Sequence, residues 1–291
     1  MLTDPRGWRR FRRNRGALVG ALLSALLLIL AVAAPLVSSH DPNRPDFKRG
    51  LTELGAPTGP GDAHLLGTDA LGRDVWSRLA HGAAISLKVS FLATFIALTV
   101  GLAIGLVAGY LGGWVDTLLM RLVDLVLAFP FLLLAILLAA LLRDSDVGDG
   151  TAKVYITLGV VSWTTMARVI RGKVLSVREL DFIRSARAVG AGPVRIMWRH
   201  VLPNVIGPII VLATITLAQM LLAESVLSYL GLGPPPPTPS WGRMLYEGQP
   251  FYRLAPWLVA APGVAILLAV MGFNLLGEGL RDAFDPREAQ G

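Results

Sequence analysis

The sequence predicts an all-α, polytopic membrane protein, and two observations carry that prediction. Hydrophobic residues make up 54% of the 291 residues and charged residues only 16%. A soluble domain carries roughly 25% charge to keep its surface hydrated. The apolar residues also gather into six stretches, 17–37, 87–109, 122–142, 154–170, 205–230 and 257–276, each close to the ~20 residues that cross a bilayer. A wholly soluble enzyme and a disordered chain are therefore excluded. Cysteine is absent, which removes disulfides, thiolate catalysis, zinc ribbons and iron–sulfur clusters.

The first stretch follows Arg6, Arg9, Arg10, Arg12, Arg13 and Arg15. Its apolar core exceeds the roughly 7–15 residues of a cleavable signal segment, so we read it as a retained span. Before the second stretch lie Asp69, Arg73, Asp74 and Arg78. Their four-residue spacing suits exposed ion pairs on an amphipathic surface helix, or a docking surface for another protein. Within the second stretch Gly101, Gly105 and Gly109 repeat every four residues. A helix face without side chains lets a neighbouring helix approach closely. Asp116, Arg121 and Asp124 precede or open the third stretch, where solvated or snorkelling charges are expected.

Glu224 lies deep in the fifth stretch. Facing lipid it would cost roughly 2.5–3.5 kcal/mol, so it faces other helices or an aqueous path. A structural hydrogen bond and a pathway-lining role both fit. After it, Pro234, Pro235, Pro236 and Pro237 predict a stiff extended connector, followed by Trp241 as an interfacial anchor.

Lys and Arg orient the chain. With the N-terminus inside, most of the 27 basic residues fall in cytoplasmic segments, including Arg168, Arg171, Lys173, Arg178, Arg184, Arg187, Arg195 and Arg199. Basic loops resist translocation, so both ends are expected inside. The same distribution accounts for the net charge of +7 through anionic lipid rather than nucleic acid.

The longest cytoplasmic segment, 171–203, has the clearest local signals. Ser176 and Glu179 form a capping-box pattern, followed by Leu180, Ile183 and Ala186 at helical spacing. Gly190 stops that helix in the manner of a left-handed cap. After Ala191 and Gly192, Pro193 opens a second helix whose apolar face is Val194, Met197 and Val201, and Leu202-Pro203 closes it. A helix–break–helix hairpin of this kind either projects rigidly toward another protein or rests as a basic amphipathic pair on headgroups.

Arg184-Ser185-Ala186, Gly190 and His200-Val201-Leu202-Pro203 resemble the EAA loop of permease subunits of binding-protein-dependent ABC importers. Arg184 stands where that family has its name-giving Glu, and Ser185 stands at its first Ala. Further segments are similar to the dipeptide/oligopeptide/nickel permeases. They include Leu66 through Arg78, Leu227 through Gly233, Pro239-Ser240-Trp241-Gly242, Phe273 through Gly277, and Asp285-Pro286-Arg287. The resemblance implies a type I importer permease fold, with an N-terminal part over 1–82 and a five-helix core over 83–291. It implies that Arg184, Ser185, Ala186, Gly190, Ala191, Gly192, Pro193, His200, Leu202 and Pro203 couple the chain to a cytoplasmic ATPase. It also implies a homologous permease as heterodimer partner, two ATPase subunits that bind ATP and Mg, an external binding protein, and a bacterial inner membrane.

No phosphate-binding G-x-x-x-x-G-K-[ST] loop occurs, so ATP hydrolysis is not expected of this chain. His40, His64, His81 and His200 are scattered along the sequence, and neither a metal site nor a catalytic set is expected. A secondary carrier is the rival reading. It would need an ion-coupling group within the membrane, for which Glu224 is the candidate.

Overall fold

The computed structural model describes residues 5–284; Asp285, Pro286 and Arg287 of the resemblance lie outside the described residues. The described residues form helices α1 (Pro5–Arg13), α2 (Arg15–Val37), α3 (Val75–Leu111), α4 (Gly113–Leu127), α5 (Phe131–Leu142), α6 (Gly150–Arg178), α7 (Asp181–Ala188), α8 (Pro193–Ile196), α9 (Leu202–Tyr229), α10 (Trp241–Gly248) and α11 (Trp257–Phe284). Among the described residues β-structure is limited to two isolated bridges, Leu51 with Pro57 and Thr68 with Asp74.

Among the described residues four helical rods are long and apolar enough to cross a membrane: α2, α3, Pro193–Tyr229 and α11. The predicted third span is not one helix. It is α4 and α5, bent by 84° around Phe129-Pro130. Proline lacks the N–H that would continue the ladder and disfavours helix at the residue before it. Counted as one span, the pair makes a fifth. The predicted fourth stretch, 154–170, lies in α6, which is long enough at 29 residues but interleaves Ser, Thr and Tyr with its apolar positions.

α6 is sheltered by α3. A Cβ placed on Gly105 would sit 2.6 Å from the Ala167 carbonyl oxygen, and one on Gly109 would sit 2.8 Å from the Val174 Cβ. Gly101 faces Trp163 and Met166 in the same way. The glycine strip thus lets two backbones touch, which maximises dispersion contacts. Its register rises with that of α6, so α3 and α6 run parallel. α2 and α11 run antiparallel: Gly20 abuts Leu275 and Leu276, Gly272 abuts Leu23 and Ser24, and Gly279 abuts Ala17.

Charges expected to be solvated instead tie helices together. Arg171 donates to both carboxylate oxygens of Asp116, the Nη2 bond being 2.6 Å, and Arg168 donates to Asp124 at 2.6 Å. Both bonds fasten α4 to α6. Arg121 and Lys88 remain exposed.

These contacts give the bundle two distinct ends. At one end Asn14 Nδ2 donates to Asp282 Oδ2 (2.9 Å), Arg178 Nη1 donates to the Gly109 carbonyl (2.9 Å), and Gly207 lies against Phe284. At the other end Trp76 Nε1 donates to the Val37 carbonyl (3.1 Å) and Trp257 Nε1 to the Thr68 carbonyl (3.2 Å).

The second end corrects two expectations. Asp69, Arg73, Asp74 and Arg78 are buried rather than exposed. The 69–73 segment is a turn, Asp74 caps α3 by accepting from the Ser77 N–H, and α3 begins twelve residues before the predicted stretch. Arg73 Nη2 and Arg78 Nη2 both donate to Glu247 Oε2 at 2.8 Å, while Arg73 Nε donates to Asp69 at 2.7 Å. Burial alone would raise the Glu247 carboxyl, but Arg78, Arg73 and Arg243 outweigh it and hold the carboxyl below its ordinary value. The prolines do not extend as predicted either. Pro236–Pro237 is cis, and the Thr238 N–H closes a turn on the Pro235 carbonyl (3.2 Å). Trp241 is fully buried, its indole N–H bonded to the Leu79 carbonyl at 3.0 Å, so it anchors α10 to α3 and not to lipid.

Candidate coupling hairpin and membrane cleft

The hairpin stands at the Asn14–Asp282 end. The capping box does not form: Ser176 is inside α6, and its hydroxyl donates back to the Gly172 carbonyl (3.2 Å). α6 runs unbroken through Arg178 because its last turns still pack on α3 through Val174. Leu180, not Ser176, precedes α7 as its cap residue, without a side-chain cap bond.

The break itself forms as expected. Gly190 has φ +84°, its N–H donates to Arg187 O (2.9 Å), and the Ala191 N–H donates to Ala186 O (3.0 Å). This paired pattern closes a helix through a left-handed residue, and glycine adopts that conformation without the Cβ penalty. Ala186 and Ala191 sit together against the bundle. After Gly192, Pro193 starts α8.

The second helix does not close at Leu202-Pro203. A π-helical turn, Met197–Val201, joins α8 to α9, and Pro203, which has no N–H to continue the ladder, lies two residues past it in the first turn of α9. His200 is half-buried in that turn, its carbonyl accepting from Asn204 Nδ2 at 2.6 Å. The hairpin is thus continuous helix with a membrane rod.

Ile183, Ile196 and Val201 are fully buried against Ile170 and Val174 of α6 and Tyr110 of α3. Arg187 stacks its guanidinium 5.1 Å above the Tyr110 ring. The outer face carries exposed apolar side chains among basic ones: Val189 is 89% exposed, Val194 64% and Trp198 63%, with Arg195 and Arg199 also exposed. Arg184 is exposed beside this face, 3.7 Å from Glu179 and 3.8 Å from Asp181, and Ser185 is exposed next to it. Buried Ile183, Ile196 and Val201 thus anchor the hairpin while Val189, Val194 and Trp198 stay in the open.

Glu224 is 0% exposed. Ser228 Oγ donates to its Oε1 at 2.6 Å, and Ser225 lies beside it at 3.5 Å. Ser86 and Ser240 also reach it. The carboxyl is enclosed where α3, α9 and the start of α10 meet.

A cleft missed by the sequence reading opens beside the α4–α5 break. It has a volume of about 630 Å³ and is walled by Phe129, Pro130 and Phe131, with Thr165 of α6 and Thr216 and Gln219 of α9 on its other sides. Thr165 and Gln219 are exposed there, both more than about two turns from either end of their helices. No ionisable side chain lines it. The signal was the Phe-Pro-Phe interruption, since broken helices in membranes are tolerated where they line a cavity.

Comparison with known proteins places this geometry. The family described as binding-protein-dependent transport system inner membrane component matches residues 101–290. The N-terminal TM domain of oligopeptide transport permease C matches residues 6–54. The chain is 40% identical over 280 residues to a dipeptide transport system permease protein DppC of Alkalihalophilus pseudofirmus, covering 96% of this chain and 88% of that one. It is 40% identical to a di/tripeptide transport system permease protein DppC of Pseudomonas aeruginosa, covering 96% and 91%. It is 42% identical over 281 residues to a glutathione transport system permease protein GsiD of Shigella flexneri, covering 96% and 89%. Among solved structures, the inward-facing MetNI methionine ABC transporter matches with a TM-score of 0.60 at 20% identity, over 72% of this chain and 98% of that chain.

Proposed function

The chain belongs to the family of binding-protein-dependent transport system inner membrane components, and on that premise we propose that it is the permease subunit of an ATP-driven importer of peptides or similar small solutes. It forms half of a translocation pathway with a homologous permease in a bacterial inner membrane. An external binding protein delivers the solute. Two cytoplasmic ATPase subunits bind ATP and Mg and supply the energy; this chain carries no ATP site of its own.

In this reading the chain crosses the membrane six times, with both ends inside. The parallel run of α3 and α6 supports that count: the chain must return through α4–α5 before α6 can repeat the direction of α3. The glycine seam supports α6 as a span, because Trp163, Met166, Ala167, Ile170 and Val174 lie along it in close contact with α3. The Asn14–Asp282 bond supports placing both ends on one side, and the basic residues at that end make it the cytoplasmic side.

The observation that carries the mechanism is the hairpin: an exposed apolar cap of Val189, Val194 and Trp198, seated on buried Ile183 and Ile196 and continuous with α9. Nucleotide energy reaches the solute only if the ATPases contact this cap differently in their two states. Arg184, Ser185, Ala186, Gly190, Ala191, Gly192, Pro193, His200, Leu202 and Pro203 build or flank that contact. The cleft at Pro130 is this subunit's share of the pathway. Thr165, Thr216, Gln219 and the backbone groups freed at the break offer neutral hydrogen bonds that suit amide-rich solutes. Glu224, enclosed among serines, holds α3 to α9 beside it.

Uptake of a labelled dipeptide by cells carrying the whole transporter tests this. Trp198→Asp with Val189→Asp is expected to leave the chain in the membrane while abolishing uptake and co-purification of the ATPases. Solute uptake by the purified chain alone in liposomes, without ATP, would overturn the reading in favour of a secondary carrier.

A further inference from the structure

The end of the bundle opposite the hairpin gathers residues that the sequence keeps far apart. His40 follows α2, His64 lies in the long connector, and Asp74 caps α3. Their side chains meet. His64 Nδ1 is 2.9 Å from Asp74 Oδ1, His40 Nδ1 is 4.0 Å from the same oxygen, and the two imidazole rings are centred 4.8 Å apart. One ligand atom from each residue lies within 4.8 Å of the others.

We propose that His40, His64 and Asp74 form a binding site for a divalent transition-metal ion of the Zn²⁺ class, at the end of the bundle that faces away from the ATPases.

The donor chemistry selects the ion. Two neutral imidazoles and one carboxylate are borderline ligands that suit Zn²⁺ and its neighbours, whereas Mg²⁺ and Ca²⁺ ask for oxygen alone. The spacing is suitable. Ligands held at about 2.0 Å in tetrahedral geometry lie roughly 3.3 Å apart, so His64 and Asp74 separate by a few tenths of an ångström, and His40 closes by somewhat less than about 1 Å on Asp74 and by up to roughly 1.5 Å on His64. His40 is the partner that can move, being exposed while His64 and Asp74 are buried.

The ligands are themselves held by neighbouring groups. The other oxygen of Asp74 accepts from the Ser77 N–H at 2.8 Å, which fixes the carboxylate and leaves Oδ1 turned to the histidines. Ser39 Oγ lies 2.9 Å from His40 Nδ1, so the metal takes either that nitrogen, displacing the hydroxyl, or the other one. Such outer partners orient metal ligands and tune affinity. His40 is exposed, which gives an ion a path to the cluster. Metal would add a joint to three chain segments already tied by the His64–Asp74, Trp76–Val37 and Arg78–Pro42 hydrogen bonds.

The test uses the full chain in detergent, stripped with EDTA and titrated with Zn²⁺ against a fluorescent chelator. One Zn²⁺ per chain is expected, with a rise in Tm on binding. His40→Ala keeps the His64–Asp74 bond and should fold, yet it should weaken Zn²⁺ binding at least about tenfold and lose the Tm rise. Co²⁺ should give tetrahedral absorption bands in the wild type and not in His40→Ala. His81→Ala, whose ring bonds Ser38 and the Ser77 carbonyl instead, should bind as the wild type does. Failure of the wild type to bind, or equal binding by His40→Ala, would overturn the proposal and leave the cluster as a hydrogen-bonded staple.

Discussion

Replacing Gly105 with alanine tests the seam on which the bundle is built. The new Cβ would lie 2.6 Å from the Ala167 carbonyl oxygen, 2.9 Å from the Ile170 Cβ and 3.1 Å from the Arg171 nitrogen. An ordinary carbon–oxygen contact is at least about 3.3 Å, so α3 and α6 must separate by roughly 0.7 Å there. Two of the three neighbours are backbone atoms, which cannot rotate away, and the separation spreads to Gly101 and Gly109. Overpacking of this kind costs about 1–3 kcal/mol, partly offset by the ~0.5–1 kcal/mol that alanine gains over glycine inside a helix. The net loss is about 1–2 kcal/mol. Gly172→Ala on α6 is the control, because nothing lies within 4 Å of its Cβ position; only the helix gain applies. Thermal inactivation of the two variants in one detergent at one scan rate should place Gly105→Ala several degrees below Gly172→Ala, at about 2–4 °C per kcal/mol. Equal midpoints, or a more stable Gly105→Ala, would refute the close backbone seam.

Four further outcomes are expected. Gly190→Leu should retain membrane insertion but reduce ATP-driven uptake, because a φ of +84° costs a non-glycine residue about 1–2 kcal/mol; Gly190→Asn, which tolerates that conformation, should recover most uptake. Arg78→Met should destabilise the chain by about 3–5 kcal/mol in detergent unfolding, since it breaks a buried ion pair, and the double variant with Glu247→Gln should lose less than the two single losses combined. Glu247, held below its ordinary value of 4.5, contributes stability that is complete above pH 4.5 and disappears as pH falls through its folded value; Glu247→Gln should flatten the acid limb of a Tm-against-pH profile. Arg184→Glu should change stability by less than about 1 kcal/mol and leave insertion intact, because the side chain is 64% exposed in solvent; loss of insertion by pulse-chase would contradict its surface position.

Much of the bundle was legible because lipid imposes a simple rule. α2, α9 and α11 are continuous apolar runs, and the sequence reading located them to within several residues. The glycine strip and the left-handed break at Gly190 were equally readable, since each depends on the absence of a side chain at one spacing or one turn. The bend at Pro130 was present in the sequence, but hydropathy averages over a proline and does not register it. α6 lies at the edge of the hydropathy signal because its polar positions serve protein and cavity: Ser162 bonds Met220 of α9, and Thr165 lines the cleft. Burial of Arg73 and Arg78 depends on Glu247, some 170 residues away, and no local spacing announces such a partner. The capping-box pattern at Ser176 failed for the same reason: Val174 still packs on Gly109 of α3, and that tertiary contact carries α6 past its local stop signal. His40, His64 and Asp74 meet only because the connector folds back on itself, and such loop geometry has no periodicity to read.

The helical join at Met197–Val201 has a mechanical consequence. With no flexible link between them, α8 and α9 form one beam of 37 residues, about 55 Å long at 1.5 Å per residue. A rocking of ~10° about one tip would sweep the other by roughly 10 Å over that length. Thr216 and Gln219 ride on this beam toward its far half, so a modest tilt imposed from below would swing them sideways by several ångströms while their spacing to each other stayed constant.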